Sequence, residues 1–161
     1  MRIKLVSALF ILFVFTVSNT SRAQDNTEKI KDGINKVYAM FNSGDFTGIE
    51  KYIDDSYVEH TPSPGNKSTR EGLVDMIKGF RKSFPDFHVT INDMAITGTK
   101  AAILYTITGT NSGPFMGMPA TNKKVSIMGI DYLMFNIDSK CTDHYGYQDD
   151  MGMMQQLGMM K

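Results

Sequence analysis

A chain of 161 residues, 42% of them hydrophobic, can close one core, and its 17 basic and 17 acidic side chains cancel. With no basic cluster, that balance excludes electrostatic capture of nucleic acid. The lone Cys141 excludes an internal disulfide, and neither a zinc-ligand spacing nor a glycine-rich phosphate loop occurs.

The chain begins MRIKLVSALFILFVFTVSNTSRAQ. Arg2 and Lys4 precede an apolar run from Leu5 to Val17, and Ser21 and Ala23 are small residues of the kind a signal peptidase reads. The run falls short of the roughly 20 residues that cross a bilayer. Residues 1–23 are therefore expected to be a secretory signal. Residues 24–161 would then form one mature domain, periplasmic or secreted. No cysteine follows the run to carry a lipid, so no membrane attachment is expected after cleavage. Loss of Arg2, Lys4 and Arg22 leaves 14 of the 17 bases against 17 acids, a net charge of −3.

Asp25 to Asn42 has Ile30, Ile34, Val37, Tyr38 and Phe41 at helical spacing. NSGD breaks that helix, and Asp45 can cap a short second one with Phe46, Ile49, Tyr52 and Ile53 on one side. YVEHTPSPG reads as extended, turning at its prolines. Ser68 and Glu71 fit a capping box, and a third helix with Leu73, Met76, Ile77 and Phe80 inward ends before Pro85. The period then changes to two through Phe87, Val89 and Ile91, AAILYTITGT, KKVSIMGIDYLMFNI and KCTDHYGYQ, which predicts four strands joined by short turns. One connection is long, Gly109 to Lys123, and carries Phe115, Met116 and Met118. It reads either as a hairpin tip packed on its own sheet or as a lid over a pocket.

Helices followed by an antiparallel sheet give an α+β fold with the helices on one face. A strong curve, with Gly129 at the bend, would make a cone whose inside is an apolar pocket for a hydrophobic small molecule.

GPFMGMPATNKKV within the strand region, followed by DHYGYQDDMGMMQQLG, resembles the SnoaL-like polyketide cyclase and ester cyclase family of the nuclear transport factor 2-like superfamily. The resemblance covers nearly the whole mature chain. It implies a cone-shaped fold of three N-terminal helices on a curved antiparallel sheet with a short C-terminal helix. It also implies an acid/base carboxylate two residues after a last-strand histidine. Here the histidine is His144, and Gly146 stands where that Asp would be.

On a strand His144 shares its face with Thr142, Gly146 and Gln148, the side the resemblance places in the cavity. A neutral histidine near its usual pKa can act as base or acid, or simply hydrogen-bond a ligand. Asp131, set in SIMGIDYLMF, is an acid among apolar residues and the best replacement for the missing carboxylate, unless it is only a structural partner. The resemblance places His60 near the cavity mouth, while Tyr105, Phe115, Met118 and Gln148 would shape the cavity. His60, His144 and Asp131 are types that can bind iron, but nothing in their spacing makes them converge, and no metal is expected. His88 is expected to face solvent. The Met-rich C-terminus reads as pliable packing rather than a copper site.

Two functions remain open. One is cofactor-free proton-transfer chemistry on a hydrophobic carbonyl compound: cyclisation, isomerisation, dehydration or hydrolysis, with His144 and Asp131 exchanging protons. The other is binding of a hydrophobic small molecule without turnover. A homodimer is expected through the convex sheet face, where Tyr132, Tyr145 and Tyr147 make an aromatic patch.

Overall fold

A computed structural model describes residues 24–160. The expected signal, residues 1–23, lies outside the described residues. No helix among them is long and apolar enough to cross a membrane.

Helix α1 occupies residues 24–43. Ile30, Ile34 and Tyr38, one turn apart, are buried. Gly44 ends it in the left-handed region, at φ 75°. Its last turn is tied down from both sides. Asn42 exchanges hydrogen bonds with the backbone of Val89 (2.7 and 2.9 Å), and Arg81 donates to the carbonyls of Phe41, Asn42 and Phe87.

The expected second helix is a single 3-10 turn, Ile49–Lys51. Asp45 does not cap it but closes a local turn by accepting from the Thr47 amide at 3.0 Å. The chain then enters β1 (Ile53–Glu59), where the sequence predicts the end of the second helix and then extended chain from Tyr57. Pairing decides this: the Cys141 amide donates to the Tyr52 carbonyl, and Ile53 lies beside Cys141. Helix α2 (Arg70–Ser83) is capped by Thr69, one residue later than Ser68, with the Gly72 amide donating to the Thr69 hydroxyl.

Strands β2 (His88–Thr97), β3 (Lys100–Thr110), β4 (Lys124–Phe135) and β5 (Cys141–Gln148) follow, and helix α3 (Asp150–Leu157) closes the chain. The sheet order is β1-β5-β4-β3-β2, antiparallel throughout except that β1 runs parallel to β5. The inward rows of β3 (Ala101, Ile103, Tyr105, Ile107) and β4 (Val125, Ile127, Asp131, Leu133) belong to the buried side. Gly129 faces Tyr105 across the β3–β4 pair. A β-carbon on Gly129 would lie 2.4 Å from the Tyr105 hydroxyl oxygen, so the glycine lets that ring cross the β4 backbone.

Candidate active site

A chamber of about 150 Å³ lies between the helices and the sheet. Ile34, Val37 and Phe41 of α1, Leu73, Met76 and Phe80 of α2, and Val89 and Ile107 of the sheet make its apolar walls. Its polar end is Tyr38, Tyr57, Tyr105, Asp131, His144 and Gln148.

Asp131 and His144 meet there. Asp131 pairs with Gly146 across β4–β5, and the His144 ring folds across that glycine so that its Nε2 lies 3.0 Å from Asp131 Oδ1. A β-carbon at Gly146 would stand 2.9 Å from His144 Cε1 and 3.1 Å from Asp131 Oδ1. Glycine is thus what permits this ion pair. The other His144 nitrogen, Nδ1, makes a short hydrogen bond to Glu59 at the end of β1. Sequence reasoning missed Glu59. Its second oxygen accepts from the Thr61 amide and hydroxyl, both at 2.9 Å, and Oε2 also accepts from Tyr57 at 3.0 Å. The Tyr38 hydroxyl donates to Asp131 Oδ2 at 2.5 Å.

Three strands therefore carry one row, Glu59, His144 and Asp131. Burial by itself would lower the His144 pKa, but hydrogen bonds and attraction from both carboxylates outweigh it and push it up to about 10. A histidine near its usual pKa is therefore not what the row holds: it is an imidazolium at neutral pH, one nitrogen engaged by each carboxylate. Burial would raise Glu59, and the bonds from His144 and Thr61 overcome that and hold it below its ordinary value. Burial and the neighbouring carboxylates push Tyr38, Tyr57 and Tyr105 upward, so all three phenols stay protonated. Burial likewise pushes the Cys141 thiol, in the chamber wall, up to about 12, which leaves it inert.

The SnoaL-like polyketide cyclase model matches residues 32–157, nearly all of the described chain. The chain belongs to this family. Among solved structures, TsrD from Streptomyces laurentii is 25% identical, with a TM-score of 0.75 over 83% of this chain and 97% of that one. IdmH from Streptomyces antibioticus is 28% identical, with a TM-score of 0.72 over 80% and 98%. A SnoaL-like polyketide cyclase from Agrobacterium tumefaciens, 18% identical, has a TM-score of 0.67 over 80% and 98%, a likeness of fold alone. No curated protein sequence matches the chain.

In this SnoaL-like chain Asp131, His144, Tyr105 and Gln148 all line the chamber. Phe115, Met118 and His60 do not lie among its lining residues. Phe115 packs edge-on against Phe80 and Phe84 at 5.7 and 5.2 Å between ring centres, at the C-terminal end of α2. Its loop is fastened there. Buried Asn111 donates to Gly113 and accepts from Thr121, Ser83 donates to the Pro114 carbonyl, and Phe115 and Met118 bond to each other's backbone. The loop is packed, as in the first of the two readings, but against the end of α2 rather than on its own sheet. His60 points to the outer face, where Nε2 meets Asp143 at 2.8 Å and the ring stacks on Tyr145 at 4.2 Å. It therefore does not join His144 and Asp131. Among the described residues no group of three His, Cys, Asp or Glu side chains is arranged to hold a metal ion.

Proposed function

We propose that this protein catalyses proton transfer on a hydrophobic carbonyl compound held in the chamber, with Asp131 as the base. The observation that carries this is a buried carboxylate at the polar end of an apolar chamber, braced at 3.0 Å by a cation. His144 cannot accept a proton while both its nitrogens donate, so the part falls to Asp131. In the proposed step Asp131 takes a proton from the carbon next to the carbonyl, and the C–H electron pair moves onto the carbonyl oxygen. Protonated Asp131 no longer attracts Tyr38 so strongly, and that hydroxyl is released to donate to the new oxygen charge. Return of the proton at another atom completes an isomerisation; alternatively the enolate carbon attacks a second carbonyl, whose π electrons move onto its oxygen as the ring's C–C bond forms, and the proton held by Asp131 passes to that oxygen. Glu59 fixes His144 and keeps it charged. No electrons pass between molecules, so the step requires no redox cofactor.

The test is α-proton exchange of a small cyclic enolisable ketone in deuterium oxide, followed by NMR. Wild type should accelerate exchange over buffer, and Asp131→Asn should not. A second reading, binding without turnover, is favoured by the same engagement of both His144 nitrogens. It prevails if bound ketones exchange no faster than free ones.

We further propose that residues 1–23 direct export, which N-terminal sequencing of the mature protein tests. The outer sheet face, where Met128, Ile130, Tyr132 and Tyr147 are exposed, is proposed as a homodimer contact. Sedimentation giving only a monomer at micromolar concentration would count against it.

A further inference from the structure

Asp131 is the buried carboxylate at the polar end of the chamber, and several donors beside it are already engaged. His144 gives one N–H to Asp131 and one to Glu59. Tyr38 gives its hydroxyl to Asp131, and Tyr57 gives its to Glu59. One N–H of the Gln148 amide goes to Asp150. Among the described residues no buried side-chain nitrogen or oxygen lacks a partner. A carboxylate has about four acceptor positions, and Asp131 uses two of them, for Tyr38 and His144. Acceptor capacity is therefore left on Asp131 at the polar end of the chamber. The row also holds two carboxylates against one imidazolium, a net charge of −1.

From this we infer that the chamber selects an uncharged ligand that donates an O–H to Asp131, a phenol or an enol, and turns carboxylates away. A carboxylate ligand would bring a second net negative charge into an apolar-walled site that already carries one. A ligand with only an ether oxygen would set acceptor against acceptor at Asp131. An ammonium would bring three donors to Asp131, and walls of Ile, Phe and Met offer nothing to replace the rest of its water. A chamber near 150 Å³ is of the size that takes a single benzene-like ring. This inference rests on the chamber being the ligand site, and not on turnover.

The test uses the full chain and single-ring probes in calorimetric titration: phenol, its methyl ether anisole, and benzoate. Phenol should bind about tenfold or more tighter than anisole, the difference expected of one charge-assisted hydrogen bond. Benzoate should not compete with phenol. Asp131→Asn, whose amide can accept or donate, should bring phenol and anisole to within about twofold of each other. Tyr38→Phe, which keeps the ring and frees an acceptor position on Asp131, should bind phenol at least as tightly as wild type, and it decides the matter if the asparagine variant does not fold. Equal binding of phenol and anisole, competition by benzoate, weaker phenol binding in Tyr38→Phe, or no binding by any probe overturns the inference. A phenol preference without ketone exchange keeps this inference and sinks the proton-transfer reading; exchange without the preference does the reverse.

Discussion

Strands β1 and β5 are joined by two carboxylate–histidine pairs that mirror each other. Inside, Glu59 of β1 reaches His144 of β5; outside, the next residue, His60, reaches Asp143, the residue before His144. The same chemical types meet at adjacent register positions, and the His60 amide donates to the His144 carbonyl between them at 2.9 Å. Their surroundings differ. The outer side chains are about a third exposed (33% and 31%), whereas those of Glu59 and His144 are 7% and 14% exposed. The inner histidine also has a second carboxylate, Asp131, on its other nitrogen. The outer bond holds Asp143 below its ordinary value, but water screens the pair. Inside, two carboxylates overcome a desolvation that would otherwise strip the charge from His144. One pair fastens an edge strand; the other maintains a buried cation.

Removing the shared cation should have the largest effect. His144→Gln leaves Glu59 and Asp131 buried without a counter-charge, and chemical denaturation near neutral pH should show a loss of about 3–5 kcal/mol. The pH dependence has a definite sign. His144 is raised from 6.5 to about 10, so its contribution is fully present below 6.5 and is lost as pH rises through 10. Glu59 is lowered from 4.5, so its contribution is present above 4.5 and is lost as pH falls through its folded value. The gap between wild type and His144→Gln should therefore be widest between those ordinary values, 4.5 and 6.5, and narrow on both sides. A gap independent of pH would show that the row is not ionised.

Glu59→Gln should cost less, about 1.5–3 kcal/mol, because a neutral Asp131–His144 pair remains. Titration of the His144 ring followed by NMR should show its pKa falling well below that of wild type. Gly146→Ala should cost about 1–3 kcal/mol, since its β-carbon would force His144 and Asp131 to move. The His144 titration should drop in this variant as well. Smallest of all, His60→Gln or Asp143→Asn should cost about 1 kcal/mol or less and leave the His144 titration in place. A large loss from either outer variant would mean that the two pairs are energetically one.

What could be read from the sequence follows from how local each signal is. Strands β2 to β5 announce themselves by alternation, and α2 by a one-sided apolar face. Asp131 is visible as the one acid inside an apolar alternating run. His144 stands out because the resemblance points to it. Strand β1 escapes because Tyr52 and Ile53 also fit a helical face, and its polar positions look like loop; only pairing with β5, far along the chain, makes it a strand. Glu59 escapes for the same reason, since its partner is 85 residues away. One signal was available: Ile53, Tyr57 and Glu59 share a period-two face, and all three are buried. Tyr38 was legible as a helix-face residue, but a buried phenol also needs an acceptor. Phe115 was legible as too apolar for solvent, yet its partners, Phe80 and Phe84, belong to the end of α2, and Phe115 itself does not line the chamber.

The order of strands also governs when this protein becomes complete as it leaves the ribosome. β2, β3 and β4 pair with neighbours in sequence and can form a meander as they emerge. β1 is made before all of them but has only β5 to pair with, and β5 is the last strand made. When β5 slides in between β1 and β4, it brings His144 to Glu59 on one side and to Asp131 on the other. Until that moment the two acids belong to separate pieces of chain with no cation between them. Closing the sheet and charging the row are one event, so a half-made molecule lacks the Glu59–His144–Asp131 row.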